Sequence, residues 1–224
     1  MAEVTVITFL TDIQISEAEI PYWRGAVIRM TGSSGEENIF FHDHNGSGYR
    51  YSYPLIQYKA IDGRAAVVSV GKGADDIGVI FRGMKDGVRI GRRAVKMSVS
   101  DMKHSVTNVS VDSQEHIYTM SRWLPLNQSN YREYSSVEGL VEKCRMLERL
   151  LVGNILSFAK GMGIFFEEEV NVEILDVRNQ RLYNYKDVKM LGVDVRFRTN
   201  VLLPQHIGLG KGVSLGFGTI MGIE

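Results

Sequence analysis

An α+β fold in two units of similar size is predicted by three observations. Apolar, β-branched runs of strand length recur along the chain, and two helical stretches are marked by proline or by a capping pattern. Between residues 4 and 90 the elements follow the order strand, helix, strand, strand, helix, strand. That order is the ferredoxin-like (RRM-like) unit. Two such domains in tandem are expected, 1–91 and 92–224.

Residues 4–10 are β-branched and apolar, which suits a buried strand. Pro21 fits the first position of a helix, where its fixed φ is welcome and its missing N–H is not needed; that helix runs to about Met30 and ends at Gly32. Residues 53–58 and 65–70 are strands, and Asp62-Gly63 between them fits a hairpin turn. A short helix over 75–84 and a weakly marked strand near 88–90 complete the first unit.

In the second unit, residues 95–99 and 106–111 are strand candidates. Ser135 with Glu138 reads as a capping box. After it, Val137, Leu140, Val141, Cys144, Leu147, Leu151, Ile155 and Phe158 recur at helical spacing until Gly161 and Gly163. Cys144 lies on this apolar stripe and reads as a packed thiol, not a nucleophile. Strands over 170–177 and 188–197 follow.

Composition narrows the function classes. With 224 residues, 44% of them hydrophobic and 23% charged, the chain has the make-up of an ordinary soluble protein. A single cysteine rules out an internal disulfide and a CxxC zinc site. The first ten residues do not read as a signal peptide, and no apolar run approaches the roughly 18–20 residues that cross a bilayer. A cytoplasmic protein without a membrane partner is expected. Lysine plus arginine number 26, as do aspartate plus glutamate, so a phosphate-binding face requires segregated charge. One stretch is segregated: Arg82, Lys85, Arg89, Arg92, Arg93 and Lys96 accompany the single acid Asp86. It reads either as a solvated linker or as part of a basic face.

The end of the chain is rich in glycine: Gly208, Gly210, Gly212, Gly216 and Gly218, with Lys211 and Ser214 among them. Glycine lets successive backbone N–H groups approach an anion. A dinucleotide fingerprint fails, since Val213, Leu215 or Met221 stands where the third glycine belongs. A Walker motif fails because Gln205 stands five residues before Gly210. On its own the cluster reads as tight turns or as an anion site. Upstream, His42 and His44 precede the loop signature Asn45-Gly46-Ser47-Gly48. Their spacing leaves three readings open: plain surface, two ligands of a metal, or an acid–base pair. His104, His116 and His206 are isolated and read as structural, although His206 lies two residues from the glycine cluster.

The Gly-x-Gly, short spacer and Gly-Phe-Gly before the last strand resemble the glycine-rich loop of the repeat-associated RNA-binding superfamily. The run Phe40-Phe41-His42-Asp43-His44 and then Tyr49-Arg50-Tyr51-Ser52-Tyr53-Pro54-Leu55-Ile56-Gln57-Tyr58-Lys59 resembles the "b" subtype of its CRISPR repeat-processing endoribonucleases, the Cas-six family. The resemblance anchors both ends of the chain; residues 71–201 match only in general layout. It implies two ferredoxin-like domains, no cofactor and no metal. The implied partner is RNA, the CRISPR repeat transcript, with subunits of a CRISPR interference complex as further partners and a monomer or homodimer as the state.

It also implies roles. His42 and His44 become general base and general acid for attack by a ribose 2′-hydroxyl on the adjacent phosphorus. Tyr49 or Tyr51 would help place the nucleophile, and Lys59 or Lys211 would offset charge on the phosphorane. Gly208, Gly210, Lys211, Gly212, Ser214, Gly216 and Gly218, together with Arg92 and Arg93, would hold RNA. Two other readings remain: a non-catalytic RNA-binding subunit of a ribonucleoprotein, and a metal-dependent phosphohydrolase. The second lacks an Asp or Glu cluster beside the histidines.

Overall fold

The computed structural model describes residues 2–31, 44–45, 48–49, 53–78, 80 and 87–223, in two compact units. Both have the ferredoxin-like topology.

The first unit comprises Val4–Thr107 together with Ser214–Gly216. Its elements are β1 (Ala2–Gln14), α1 (Ile20–Thr31), β2 (His44–Asn45), β3 (Gly48–Tyr49), β4 (Ile56–Ile61), β5 (Arg64–Val70), β6 (Val88–Ile90), β7 (Arg93–Val95) and β8 (Val99–Val109). The main sheet runs β4-β5-β1-β8. Strand β5 is apolar at nearly every position because it lies inside this sheet, where Ala65, Ala66, Val67, Val68 and Val70 are all buried. Asp62 (φ 49°) and Gly63 (φ 72°) make the tight turn into it, with Ile61 opposite Arg64. Two successive left-handed residues match the right-handed twist of a hairpin.

Helix α1 buries Ile20, Trp23, Ala26 and Val27, a stripe at helical spacing, and the Trp23 indole N–H donates to the Ala66 carbonyl at 2.8 Å. A capping box precedes the helix: the Ser16 backbone N–H donates to the Glu19 carboxylate at 2.9 Å.

Two expectations change here. The fourth strand of the sheet is β8, not the segment at 88–90, which instead pairs with β7 in a separate two-stranded hairpin. At 71–76 the chain makes a 3₁₀ turn; within the helix expected over 75–84, Gly78 and Ile80 are helical, and residues 79 and 81–84 lie outside the described residues. With β8 as its last strand, the first unit runs through Thr107, while the sequence reading places the boundary at 91/92.

The second unit comprises Met1–Glu3, Asn108–Val213 and Phe217–Glu224. It contains β9 (Val111–Trp123), α2 (Gln128–Ser136), α3 (Leu140–Gly161), β10 (Val172–Tyr185), β11 (Val188–Val201) and β12 (Thr219–Gly222), in the sheet order β10-β11-β9-β12. The strands expected at 95–99 and 106–111 fall across element ends: residues 96–98 are not strand, and Ser110 separates β8 from β9.

The helix expected to open at Ser135 is two helices. Asn127 caps α2 by accepting from the Asn130 N–H at 2.8 Å, and Ser135 sits in its last turn with its hydroxyl donating to the Tyr131 carbonyl. Val137 is extended, and Gly139 begins α3, which buries Met146, Leu147, Leu151, Ile155, Phe158 and Ala159. Cys144 is half-buried, and burial, ahead of the nearby Glu148, holds its thiol above the ordinary 9.0. That suits a packed thiol. Among the described residues no helix is long and apolar enough to cross a membrane.

Candidate functional site

The glycine-rich segment is a fixed structure. Its ends pair: the Leu209 N–H donates to the Gly218 carbonyl at 2.9 Å, and Gly208 bridges Thr219. Gly210, Gly212, Gly216 and Gly218 all have positive φ, from 64° to 90°, where side chains are strained. Space is lacking as well as conformation. A Cβ on Gly210 would stand 2.8 Å from the Asn154 side-chain oxygen, and one on Gly212 would stand 2.9 Å from the Tyr185 ring. Leu209, Val213 and Phe217 are buried and anchor the segment, while Lys211 is exposed and Ser214 half-exposed. Trp123, fully buried on β9, donates its indole N–H to Asn154 at 2.9 Å just where Gly210 passes.

Around Phe217 lies a cluster that sequence reading missed. The Tyr183 and Tyr185 rings meet it edge-on at 5.5 and 5.8 Å. The Arg122 guanidinium lies over Phe217 at 4.2 Å and near Tyr183 at 5.3 Å, a cation–π geometry. Arg181 sits 5.0 Å from the Tyr183 ring, and Lys186, in the turn with Asp187 between β10 and β11, sits 5.7 Å from that of Tyr185. A signal was present: Arg181, Tyr183 and Tyr185 alternate, so they share one face of a strand.

In the first unit, Gly216 is the residue that meets a predicted catalytic position. A Cβ there would lie 3.1 Å from the Tyr58 carbonyl oxygen, 3.6 Å from the Lys59 Cα and 2.8 Å from Ile20. Lys59 is 1% exposed. The structure thus brings Lys59 and Gly216 together. His44 and Tyr49 occupy opposed positions in the β2–β3 hairpin, with Asn45 opposite Gly48. His42 and Tyr51 lie outside the described residues.

Arg92 and Arg93 lie at the β6–β7 turn, where Gly91 has φ 58°. Arg93 pairs with Glu19. The Ser16 backbone N–H, then the Ser16 hydroxyl and Arg93, hold the Glu19 carboxyl below its ordinary 4.5. Of the other basic residues in this stretch, Arg89 and Lys96 are exposed; Arg82 and Lys85 lie outside the described residues. Of the isolated histidines, His116 meets Asp112 at 3.1 Å, His104 is exposed on β8, and His206 has φ 64°. No group of three His, Cys, Asp or Glu side chains able to hold a metal occurs among the described residues.

The chain is similar to known proteins. The family model of the Cas6b N-terminal domain matches residues 1–108, and that of the Cas6b C-terminal domain matches residues 110–223. An uncharacterized protein of Methanocaldococcus jannaschii is 35% identical over 105 residues, which are 47% of this chain and 70% of that protein. A crystal structure of Cas6b superposes with a TM-score of 0.88 at 22% identity, covering 99% of this chain and 100% of that one. A second, of a CRISPR RNA processing endoribonuclease Cas6b, gives 0.73 at 21% identity with the same coverage. A Cas6 product complex gives 0.60 at 11% identity, covering 99% of this chain and all of that one. At these identities the likenesses establish the fold.

Proposed function

The chain belongs to the Cas6b family, and on that premise we propose that it is a metal-independent endoribonuclease that cuts CRISPR precursor transcripts within their repeats. The observation that carries this reading is the β2–β3 hairpin, whose register sets His44 opposite Tyr49 two residues after His42. Two imidazoles and a phenol in one short segment supply what RNA cleavage by its own 2′-hydroxyl needs.

One imidazole takes the 2′-hydroxyl proton, and the freed oxygen attacks the neighbouring phosphorus in line. The bond from phosphorus to the 5′-oxygen breaks as the other imidazole, protonated, donates to that oxygen. The products are a 2′,3′-cyclic phosphate and a 5′-hydroxyl, and no water is consumed. Tyr49 or Tyr51 hydrogen-bonds the reacting ribose or phosphate. Lys211, exposed on the loop, is the cation assigned to the developing phosphorane charge, while Lys59, at 1% exposure, is not open to substrate. On the loop built from Gly208, Gly210, Gly212, Gly216 and Gly218, the exposed Lys211 and the half-exposed Ser214 are the side chains assigned to the RNA backbone.

Repeat RNA incubated with the protein in chelator tests the reading. Cutting should persist, and a single 2′-deoxy substitution at the scissile nucleotide should abolish it. Activity that vanishes with chelator and returns with a divalent cation would overturn the mechanism. So would continued cutting of the deoxy substrate.

A further inference from the structure

A cleft of about 630 Å³ lies on the first unit between α1 and the β6–β7 turn. Tyr22 stands in it, 57% exposed on the first turn of α1. A large aromatic ring left so open beside a well-filled core is unusual for packing reasons alone, since burying it would be favourable. Gly91 explains how the ring is held. This glycine turns the hairpin at φ 58°, and a Cβ there would stand 3.6 Å from the Tyr22 ring, so the turn backs the ring while it remains accessible.

The charge around the ring is mostly positive. Arg29, Arg92 and Arg93 line the cleft with a single carboxylate, Glu19, which Arg93 engages. Arg29 donates to the Arg89 carbonyl at 2.8 Å, which fixes its position without neutralising it. Among the described residues neither Arg29 nor Arg92 has a carboxylate partner. The whole chain has no net charge, so this excess is local.

We propose that this cleft binds an unpaired segment of the RNA substrate, with one base stacked on Tyr22 and the flanking phosphates held by Arg29 and Arg92. The partner's identity rests on the nuclease reading; the site itself rests on the cleft. Bases stack on aromatic rings whatever their sequence, and guanidinium groups grip phosphate with fixed geometry. A site of this kind holds RNA without cutting it.

The experiment measures binding of repeat RNA made uncuttable by a 2′-deoxy nucleotide at the scissile position, across a range of salt. Tyr22→Ala is expected to weaken binding about 5- to 150-fold, and Tyr22→Phe to retain it. Arg92→Ala is expected to weaken binding and lower the slope of log affinity against log salt by about one. Binding unchanged by both Tyr22→Ala and Arg92→Ala would overturn the proposal, as would a Tyr22→Phe loss as large as that of alanine. Thermal unfolding of each variant separates these outcomes from misfolding, and Tyr22 and Arg92 are both exposed. Failure of the protein to cut an unmodified repeat defeats the nuclease reading and leaves these binding results standing.

Discussion

The backbone N–H of Leu209 donates to the carbonyl oxygen of Gly218 at 2.9 Å, and a Cβ added to Gly218 would overlap the carbonyl oxygen of Leu209 itself. The two residues close the base of the glycine-rich segment. Gly218→Ala must therefore break that closure as well as strain a φ of 64°. The expected loss is about 2–3 kcal/mol in urea unfolding, the range of overpacking in a tight site. Gly163→Ala is the comparison. Its φ is 74°, but nothing lies within 4 Å of the added carbon. It should cost only the conformational strain, about 1 kcal/mol.

Asn154 and Trp123 give a second test. The indole N–H of a fully buried tryptophan has Asn154 as its acceptor, and Gly210 runs past both. Asn154→Ala should destabilise by about 1–3 kcal/mol, because it strands a buried donor. Asn154→Asp keeps an acceptor and should cost less. A double-mutant cycle with Trp123→Phe reads the coupling directly.

His42→Ala and His44→Ala should each lower single-turnover cleavage by about 10²–10⁴-fold, the worth of a positioned acid or base. RNA affinity, measured on uncuttable substrate, should stay within a few-fold of the parent. Variants that cut normally would remove the pair from the mechanism.

Acid should erode one contact of the first unit in a defined direction. The Ser98 hydroxyl, then the Ser98 backbone N–H, donate to the Asp12 carboxylate and hold its pKa below the ordinary 3.8. A depressed carboxylate stabilises the fold fully above its unfolded value and loses that contribution as pH falls through the folded one. Asp12→Asn should thus be less stable than the parent at pH 7. The gap should narrow once the pH drops below about 3.8. Urea midpoints at several pH values measure it. Because Asp12 is exposed, the effect should be modest.

Sequence reading found the elements whose signals are local. Asp62-Gly63 declared its turn because few residue pairs adopt left-handed backbone twice in succession. Pro21 and the apolar stripe after it marked α1. The Ser135–Glu138 pattern misled for a local reason too: both residues have the right chemistry, but Val137 takes an extended backbone and the helix restarts after Gly139. Only the two ends of strand β8 were marked, because nearly every position along it is exposed and little inside–outside alternation reaches the sequence.

The candidate site divides the same way. Glycines were legible, since backbone geometry alone demands them. Lys59 was legible as a residue but not in its setting: all of 56–59 is buried, which removes the alternation that would have told its face. Of the Arg122, Tyr183, Tyr185 and Phe217 cluster, only the alternation on β10 was legible, because the members come from three distant segments. Only the folded sheet and the turn before its last strand assemble them.

On the proposed reading, a binding surface made of wedged glycines would have its shape before any ligand arrives. Such a mould need not be ordered on contact, so little conformational entropy stands between encounter and grip. Its discrimination should then follow the contour of a ribose–phosphate backbone more than the identity of the bases it carries.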